Sequence, residues 1–102
     1  MIQIFRTKTV PIIRYGPMSQ SAVLGGTADM TCAIDNAITL DWIKLSSPKQ
    51  NVTIGSGSGI RFTELEPSDQ GVYFCRGTGG GMFTDIIVEP NPATLVLEGI
   101  AL

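Results

Sequence analysis

Residues 60–75 read IRFTELEPSDQGVYFC, and the spacing within this stretch decides the fold. Successive side chains of a β-strand point to opposite faces, so residues two positions apart share a face. Ile60 and Phe62 are spaced in this way, and so are Tyr73 and Cys75. The proline, serine and aspartate between these pairs are frequent turn residues. The stretch therefore predicts two strands joined by a turn, each with an inner and an outer set of side chains.

Short alternating runs separated by turn residues recur along the rest of the chain, at 28–34, 38–42 and 83–88. We find no sustained apolar spacing of three and four residues, which would be typical of an amphipathic helix. Residues 9–24 contain two prolines and are predicted to form a kinked edge strand, because proline is tolerated at the edge of a sheet. The pattern predicts an all-β fold, a two-sheet antiparallel sandwich.

Composition excludes several classes of function. The chain has 102 residues, enough for one domain, and an apolar content of 43% that can build one core. Its net charge is −2 and its seven Lys and Arg residues are scattered, which argues against a nucleic-acid-binding protein. The apolar runs are far shorter than the ~20 residues of a membrane helix. Residues 1–16 do not resemble a signal peptide, so any membrane association is expected only through a longer parent chain.

The chain contains two cysteines and no histidine, which leaves little basis for catalysis. A zinc site needs further ligands and a thiol protease needs a histidine base. Cys32 and Cys75 are most simply a disulfide, the alternative being two buried thiols in a cytosolic domain. Gly77–Gly81 lack the Gly-Lys-Ser/Thr sequence of a phosphate-binding loop and are expected to form a flexible hairpin tip. No enzyme activity, metal or cofactor is predicted.

A set of motifs in a fixed order resembles the signature of the immunoglobulin superfamily, over positions 11 to 89. The resemblance implies Greek-key connections and a Cys32–Cys75 disulfide that joins the two sheets. It also implies a salt bridge of Asp69, with Lys49 and Arg61 as candidate partners. The matching positions are Gly26, the two cysteines, the strand residues Ile60 and Phe62, the final strand at 84–88, and a core signature of Trp42, Leu65, Asp69, Gly71 and Tyr73.

Two departures narrow the type of domain that the resemblance implies. Residues 43–59 are too few for the two additional strands of an antibody-type variable domain. Residues 76–83 lack the Phe-Gly-x-Gly bulge of antigen-receptor variable domains, which argues against an antibody or T-cell-receptor chain. We therefore expect an intermediate-set or constant-like domain in which one middle strand is short or missing.

The end of the chain repeats an earlier phrase. Residues 96–102 read VLEGIAL and residues 23–29 read VLGGTAD. Tandem immunoglobulin domains would each begin with such a segment, so residues 90–102 are predicted to be a linker and the start of a following repeat. The domain itself would then span 9–89, and residues 1–8 would be an N-terminal arm or the tail of a preceding unit. The alternative is that residues 94–97 form an extra strand of the same domain.

Protein binding is the function that these expectations favour. In the implied fold, the strands that contain Trp42, Cys75 and residues 84–88 adjoin. An apolar patch with charged neighbours on their outer side would mark an interaction surface. The partner would be a protein, through homophilic or heterophilic pairing. The alternative is that the linker, the N-terminal arm or a neighbouring domain covers the patch. The predicted contact residues are Ile43, Phe74, Arg76, Phe83, Asp85 and Ile87.

Asn51-Val52-Thr53 is an N-glycosylation acceptor sequence, and with the disulfide it points to an extracellular or cell-surface location. The favoured interpretation is one domain of a multi-domain adhesion molecule or receptor. Two alternatives remain, a structural spacer in an intracellular muscle-type array, with free thiols and an unmodified Asn51, or a small secreted immune recognition protein.

Overall fold

The computed structural model describes residues 10–46, 50–80 and 83–99. Short β-strands and one 3-10 turn at Pro67–Asp69 account for the regular structure of these residues. The predicted arm at 1–8, Lys49 and residues 100–102 lie outside the described part of the chain. The strands are β1 Ile12–Tyr15, β2 Gln20–Val23, β3 Ala28–Thr31, β4 Ala33–Asp35, β5 Thr39–Ser46, β6 Gln50–Ser56, β7 Gly59–Phe62, β8 Gly71–Gly80, β9 Asp85–Val88 and β10 Ala93–Glu98.

The strands form the two layers of a sandwich. One layer has the order β2-β10-β8-β5-β6, with β9 pairing the far end of β8. The other contains β1 paired with β4 and β3 paired with β7, and Cys32 alone separates β3 from β4. The described pairings are antiparallel except that of β10 with β2, which is parallel. The predicted kink in the edge strand is present, since β1 and β2 belong to different layers.

The core lies between the layers and is centred on the disulfide. Cys32 and Cys75 are bonded and fully buried, and Trp42 is the cross-strand neighbour of Cys75. The indole Nε1 of Trp42 donates a hydrogen bond of 2.9 Å to the carbonyl of Gly57, so the one polar atom of that side chain has a partner. Closing a loop of 43 residues stabilises the domain by about 4 kcal/mol in the chain-entropy model.

The turn before β8 is held by Tyr73. Its hydroxyl donates a hydrogen bond to the carbonyl of Asp69, which is the tyrosine corner expected from the sequence. The Asp69 carboxylate accepts from the backbone N–H of Glu66 at 2.8 Å. Gly71 begins β8 with a φ of +155°, and a Cβ there would lie 3.1 Å from Cε of Lys44.

The prediction of a salt bridge between Asp69 and Arg61 is wrong. Arg61 lies opposite Asp29 across the β3–β7 pair, and their side chains form an exposed ion pair of 3.5 Å. The carboxylate of Asp69 instead caps the 3-10 turn, because its own turn brings the Glu66 N–H within reach.

The glycines after Cys75 are part of a strand, so the prediction of a flexible tip is wrong for residues 77–80. Gly77 and Gly79 are buried within β8. A Cβ at Gly77 would lie 2.7 Å from Cδ1 of Ile34, and one at Gly79 would lie 2.7 Å from Cδ of Pro11. These glycines allow β1 and β4 to approach β8 closely, which a larger side chain would prevent.

The prediction that residues 90–102 belong to a following repeat is wrong for residues 93–98. They form β10, which fills the position between β2 and β8 in the larger sheet. Ala93, Leu95 and Leu97 are buried in the same core cluster as the disulfide. The alternative of an extra strand in this domain is therefore the observed arrangement. The family's final strand is divided here into β9 and β10 by a segment that contains Pro90 and Pro92, neither of which can donate a ladder hydrogen bond.

The two similar segments lie beside each other within one domain. The two segments end neighbouring parallel strands, with Val23 opposite Glu98 and a hydrogen bond of 3.2 Å from the Leu24 N–H to the Glu98 carbonyl. Each strand is followed by a glycine in the left-handed region, Gly25 at φ +81° and Gly99 at φ +90°. The pairing is offset from the repeat by two residues, because Val96 lies opposite Ser21 and not opposite Val23.

Between β5 and β7, the described residues contain one strand, β6, as the short segment before Ile60 suggested. It pairs with β5 and so extends the larger sheet, whereas in a constant-type domain the additional strand belongs to the other sheet. The expected constant-like arrangement is wrong in this respect.

We predict that replacing Leu95 by Ala lowers the free energy of unfolding by about 2–5 kcal/mol, the usual range for a fully buried leucine. Val96→Ala is the matched control in the same strand, because Val96 is exposed and its truncation should change stability by less than about 0.5 kcal/mol. Urea unfolding with the disulfide intact measures both. Equally small effects would contradict the placement of β10 in the core.

We predict a pH-dependent role for the tyrosine corner. Burial, and secondarily the charge of Asp69, raises the pKa of Tyr73 to about 12 from the usual 10.0. Between these values the unfolded chain loses a proton that the folded domain retains, so stability falls as the pH rises. Tyr73→Phe should cost about 1 kcal/mol below pH 10 through the lost hydrogen bond, and this difference should shrink between pH 10 and 12.

Unfolding curves of wild type and Tyr73→Phe across this range test the prediction. Tyr15 is present in both proteins, so the comparison isolates the Tyr73 hydroxyl. A constant difference between the two proteins from pH 9 to about pH 12 would contradict a raised pKa.

Candidate functional site

The candidate site is the outer face of the larger sheet, defined here as the side opposite the disulfide. Because Cys75 points into the core, its neighbours in β8 point outward. Phe74 and Arg76 therefore lie on the outer face. Thr78 points to the same side of β8, and Ile87 lies there too because it pairs with Thr78. The structure thus brings together the predicted residues of β8 and β9.

Ile43 is on the predicted side of the sheet but offers no contact surface, and that part of the prediction is wrong. It is 2% exposed, although it lies outside the contiguous core cluster. Its cross-strand neighbours are Phe74 on β8 and Thr53 on β6, which flank it in the middle of the sheet. Ile43 is therefore a buried apolar neighbour of Phe74 on this side of the sheet.

Phe74 and Arg76 form the centre of the outer face. The guanidinium carbon of Arg76 lies 5.9 Å from the ring centroid of Phe74, a cation–π distance. The Nε of Arg76 donates a hydrogen bond of 2.7 Å to Oε2 of Glu89, just after β9. The Arg76 side chain is about one third exposed, so the pair is accessible and yet held in one geometry by two partners.

The β9 end of the outer face is the more exposed part. Ile87 is 58% exposed and Phe83, which precedes β9, is 91% exposed. Asp85 begins β9 opposite Gly80 and shares the parity of Ile87, so its carboxylate also lies on this side. Large apolar side chains with this exposure beside charged residues are typical of an interaction surface.

Sequence reasoning missed three apolar residues of this face. Leu45 extends β5 beyond the predicted run and pairs with Val72, so it faces outward. Val96 on β10 and Val23 on β2 also lie on this side, since they alternate with buried Leu97 and half-buried Ala22. The alternation of Ile43, Lys44 and Leu45 could have indicated that Leu45 shares a side with Ile43. Val96 was missed because residues 90–102 were assigned to a neighbouring domain.

Asn51, the predicted glycosylation position, is exposed on the edge strand β6. In the described ranges, no group of three or more His, Cys, Asp and Glu side chains is placed to hold a metal ion. Those ranges also contain no helix long and apolar enough to cross a membrane.

Comparisons with known proteins extend these observations. No protein-family model matches the sequence, and no curated protein matches it. Among solved structures, murine CRIg is similar with a TM-score of 0.69 and 15% sequence identity, over 86% of this chain and 98% of that chain. The RIG-5 Ig1 homodimer is similar with a TM-score of 0.67 and 17% identity, over 87% of this chain and 98% of that chain. The sandwich, its disulfide and tyrosine corner, and these likenesses together establish that the chain has the immunoglobulin fold.

Proposed function

We propose that this domain is a non-catalytic protein-binding module of an extracellular protein, a cell-surface adhesion molecule or receptor, and that it binds through the outer face of the larger sheet. The observation that carries the proposal is an apolar row of exposed Ile87 and Phe83 and half-buried Phe74, in which the Arg76 guanidinium contacts the Phe74 ring. Aromatic residues and arginine are enriched in protein interfaces, and this row places both at its centre.

The position of β10 supports the accessibility of this face. Residues 93–98 lie within the sheet as a paired strand and do not cross its outer side. Residues 93–98 therefore do not provide the cover that was the alternative to partner binding. Val96 adds an apolar side chain that is 47% exposed to the same face, so the open surface spans β5, β8, β9 and β10.

Charge on the outer face suits pairing with a second copy of the chain. Arg76 and Asp85 lie on the same side of β8 and β9. A two-fold interface places the same surface on both partners, so the guanidinium of one copy can approach the Asp85 carboxylate of the other. The RIG-5 Ig1 domain, one of the structural neighbours, is a homodimer, which supports homophilic binding as the first arrangement to test.

The compartment is proposed from the disulfide. Disulfides persist in oxidising environments and are rare in the cytosol, where thiols are kept reduced. The bonded Cys32 and Cys75 therefore favour the extracellular adhesion or receptor role over the intracellular spacer role.

We predict that Ile87→Ser with Phe74→Ser weakens self-association by about 30-fold or more, since two central contacts of interface quality contribute at least about 2 kcal/mol. Ile12→Ser with Tyr15→Ser is the control, because both residues are about as exposed as Ile87 and lie on the other layer. Sedimentation velocity over a range of concentrations gives the dissociation constants.

Thermal unfolding of each variant separates lost binding from lost folding. Ile87→Ser alone serves as the milder variant if the change at half-buried Phe74 lowers stability. Equal association of wild type and both outer-face variants would exclude this face as the homophilic site, and an equal loss in the Ile12/Tyr15 control would indicate a non-specific effect.

A further inference from the structure

We propose that Asn51 carries an N-linked glycan, and that this glycan screens the β6 side of the outer face so that a protein partner is seated on the β8–β9 side. The screening part rests on the proposed function, whereas the modification itself does not. The geometry points to this arrangement because the acceptor lies on the same face as the candidate interface, three strands away from its most exposed residues.

The acceptor meets the chemical requirements. Asn51 and Thr53 are separated by Val52, which is not proline, and both are exposed. In the modification, the side-chain amide nitrogen of Asn51 forms a bond to the anomeric carbon of a lipid-pyrophosphate-linked oligosaccharide. The amide loses one proton and the lipid pyrophosphate leaves. The location in an edge strand provides room for a bulky product.

Strand register places the modified side chain on the outer face. Asn51 pairs with Leu45, and Thr53 pairs with Ile43. Directly opposed residues in an antiparallel pair point to the same face. Leu45 faces outward with Ile43 and Phe74, so the Asn51 side chain emerges on that side and not on the core side.

The distance from Asn51 differs along the outer face. Neighbouring strands are about 5 Å apart, so β5 is about 5 Å, β8 about 10 Å and β9 about 15 Å from β6. Leu45 is the direct neighbour of Asn51, whereas Ile87 is three strands away and several residues nearer the other end of the sheet. A glycan at Asn51 therefore screens Leu45 strongly and Ile87 weakly.

The same modification would protect the edge of the sheet. Val52 and Ile54 in β6 are exposed apolar residues in a strand whose outer edge pairs with no other described strand. An exposed apolar edge is a template for strand addition by another chain, and bulky polar groups prevent it.

The first experiment compares Thr53→Ser with Thr53→Ala in protein secreted from eukaryotic cells. Thr53→Ser preserves the acceptor sequence and Thr53→Ala removes it, while Asn51 is unchanged in both. We expect the intact mass to include a glycan in wild type and Thr53→Ser but not in Thr53→Ala. Identical masses for the two variants would overturn the proposal.

The second experiment measures screening without any binding partner. Leu45→Cys and Ile87→Cys are each introduced into both Thr53 variants, and reaction with a polyethylene-glycol maleimide is timed. We expect labelling of the Leu45→Cys position to be several-fold slower in the glycosylated Thr53→Ser background, with little difference at Ile87→Cys. Equal rates at Leu45→Cys in the two backgrounds would overturn the screening.

Self-association of the two Thr53 variants separates this inference from the proposed function. If Ile87→Ser weakens association in both backgrounds, the outer face is the interface, and Leu45→Ser should weaken it only in Thr53→Ala. Association that is unaffected by Ile87→Ser would refute the proposed interface and leave the mass and labelling results to decide the glycan and its screening.

Discussion

The buried bond between Cys32 and Cys75 is the constraint on which the rest of the structure depends. It fixes which side of β8 points into the sandwich, and through the two-residue period of a strand it also determines which side points out. Tyr73 is buried on the same side as Cys75, and Phe74 and Arg76 are directed to the other. The core and the candidate interface are therefore two consequences of one register.

The second constraint is the divided strand at the end of the domain. β9 pairs with the C-terminal part of β8. β10 pairs with the N-terminal part of β8 and also with β2. Pro90, which lies between β9 and β10, packs against Gly16, which lies between β1 and β2. A Cβ added at Gly16 would be 2.5 Å from the Cβ of Pro90. The segment that joins β1 to β2 and the segment that joins β9 to β10 thus pack against each other. This contact allows the chain to change layers near residue 16 and still close the larger sheet.

The outer face combines a rigid base with exposed side chains. Ile43 is buried beside Phe74 on the neighbouring strand, and Arg76 contacts both the Phe74 ring and the Glu89 carboxylate. Side chains that are already ordered lose less conformational entropy on binding, so such an arrangement favours association. Asn51 lies on β6 at one edge of this face, whereas the exposed Phe83 precedes β9 on the other side of β8.

The spacing of residues in the sequence determined the all-β strands and the outward parity of Phe74, Arg76 and Ile87, because both follow from the two-residue period of strands. The resemblance of the ordered motifs to the immunoglobulin signature implied the disulfide between the sheets and the positions of Trp42 and Tyr73. Tertiary structure alone decided the rest. It showed that Ile43 is buried, that Gly77 and Gly79 lie under Ile34 and Pro11, and that residues 93–98 complete this domain's own sheet. Each of these depends on contacts between segments distant in the chain. A repeated phrase therefore could not reveal whether its second copy begins a new domain or lies beside the first, which it does as a parallel strand.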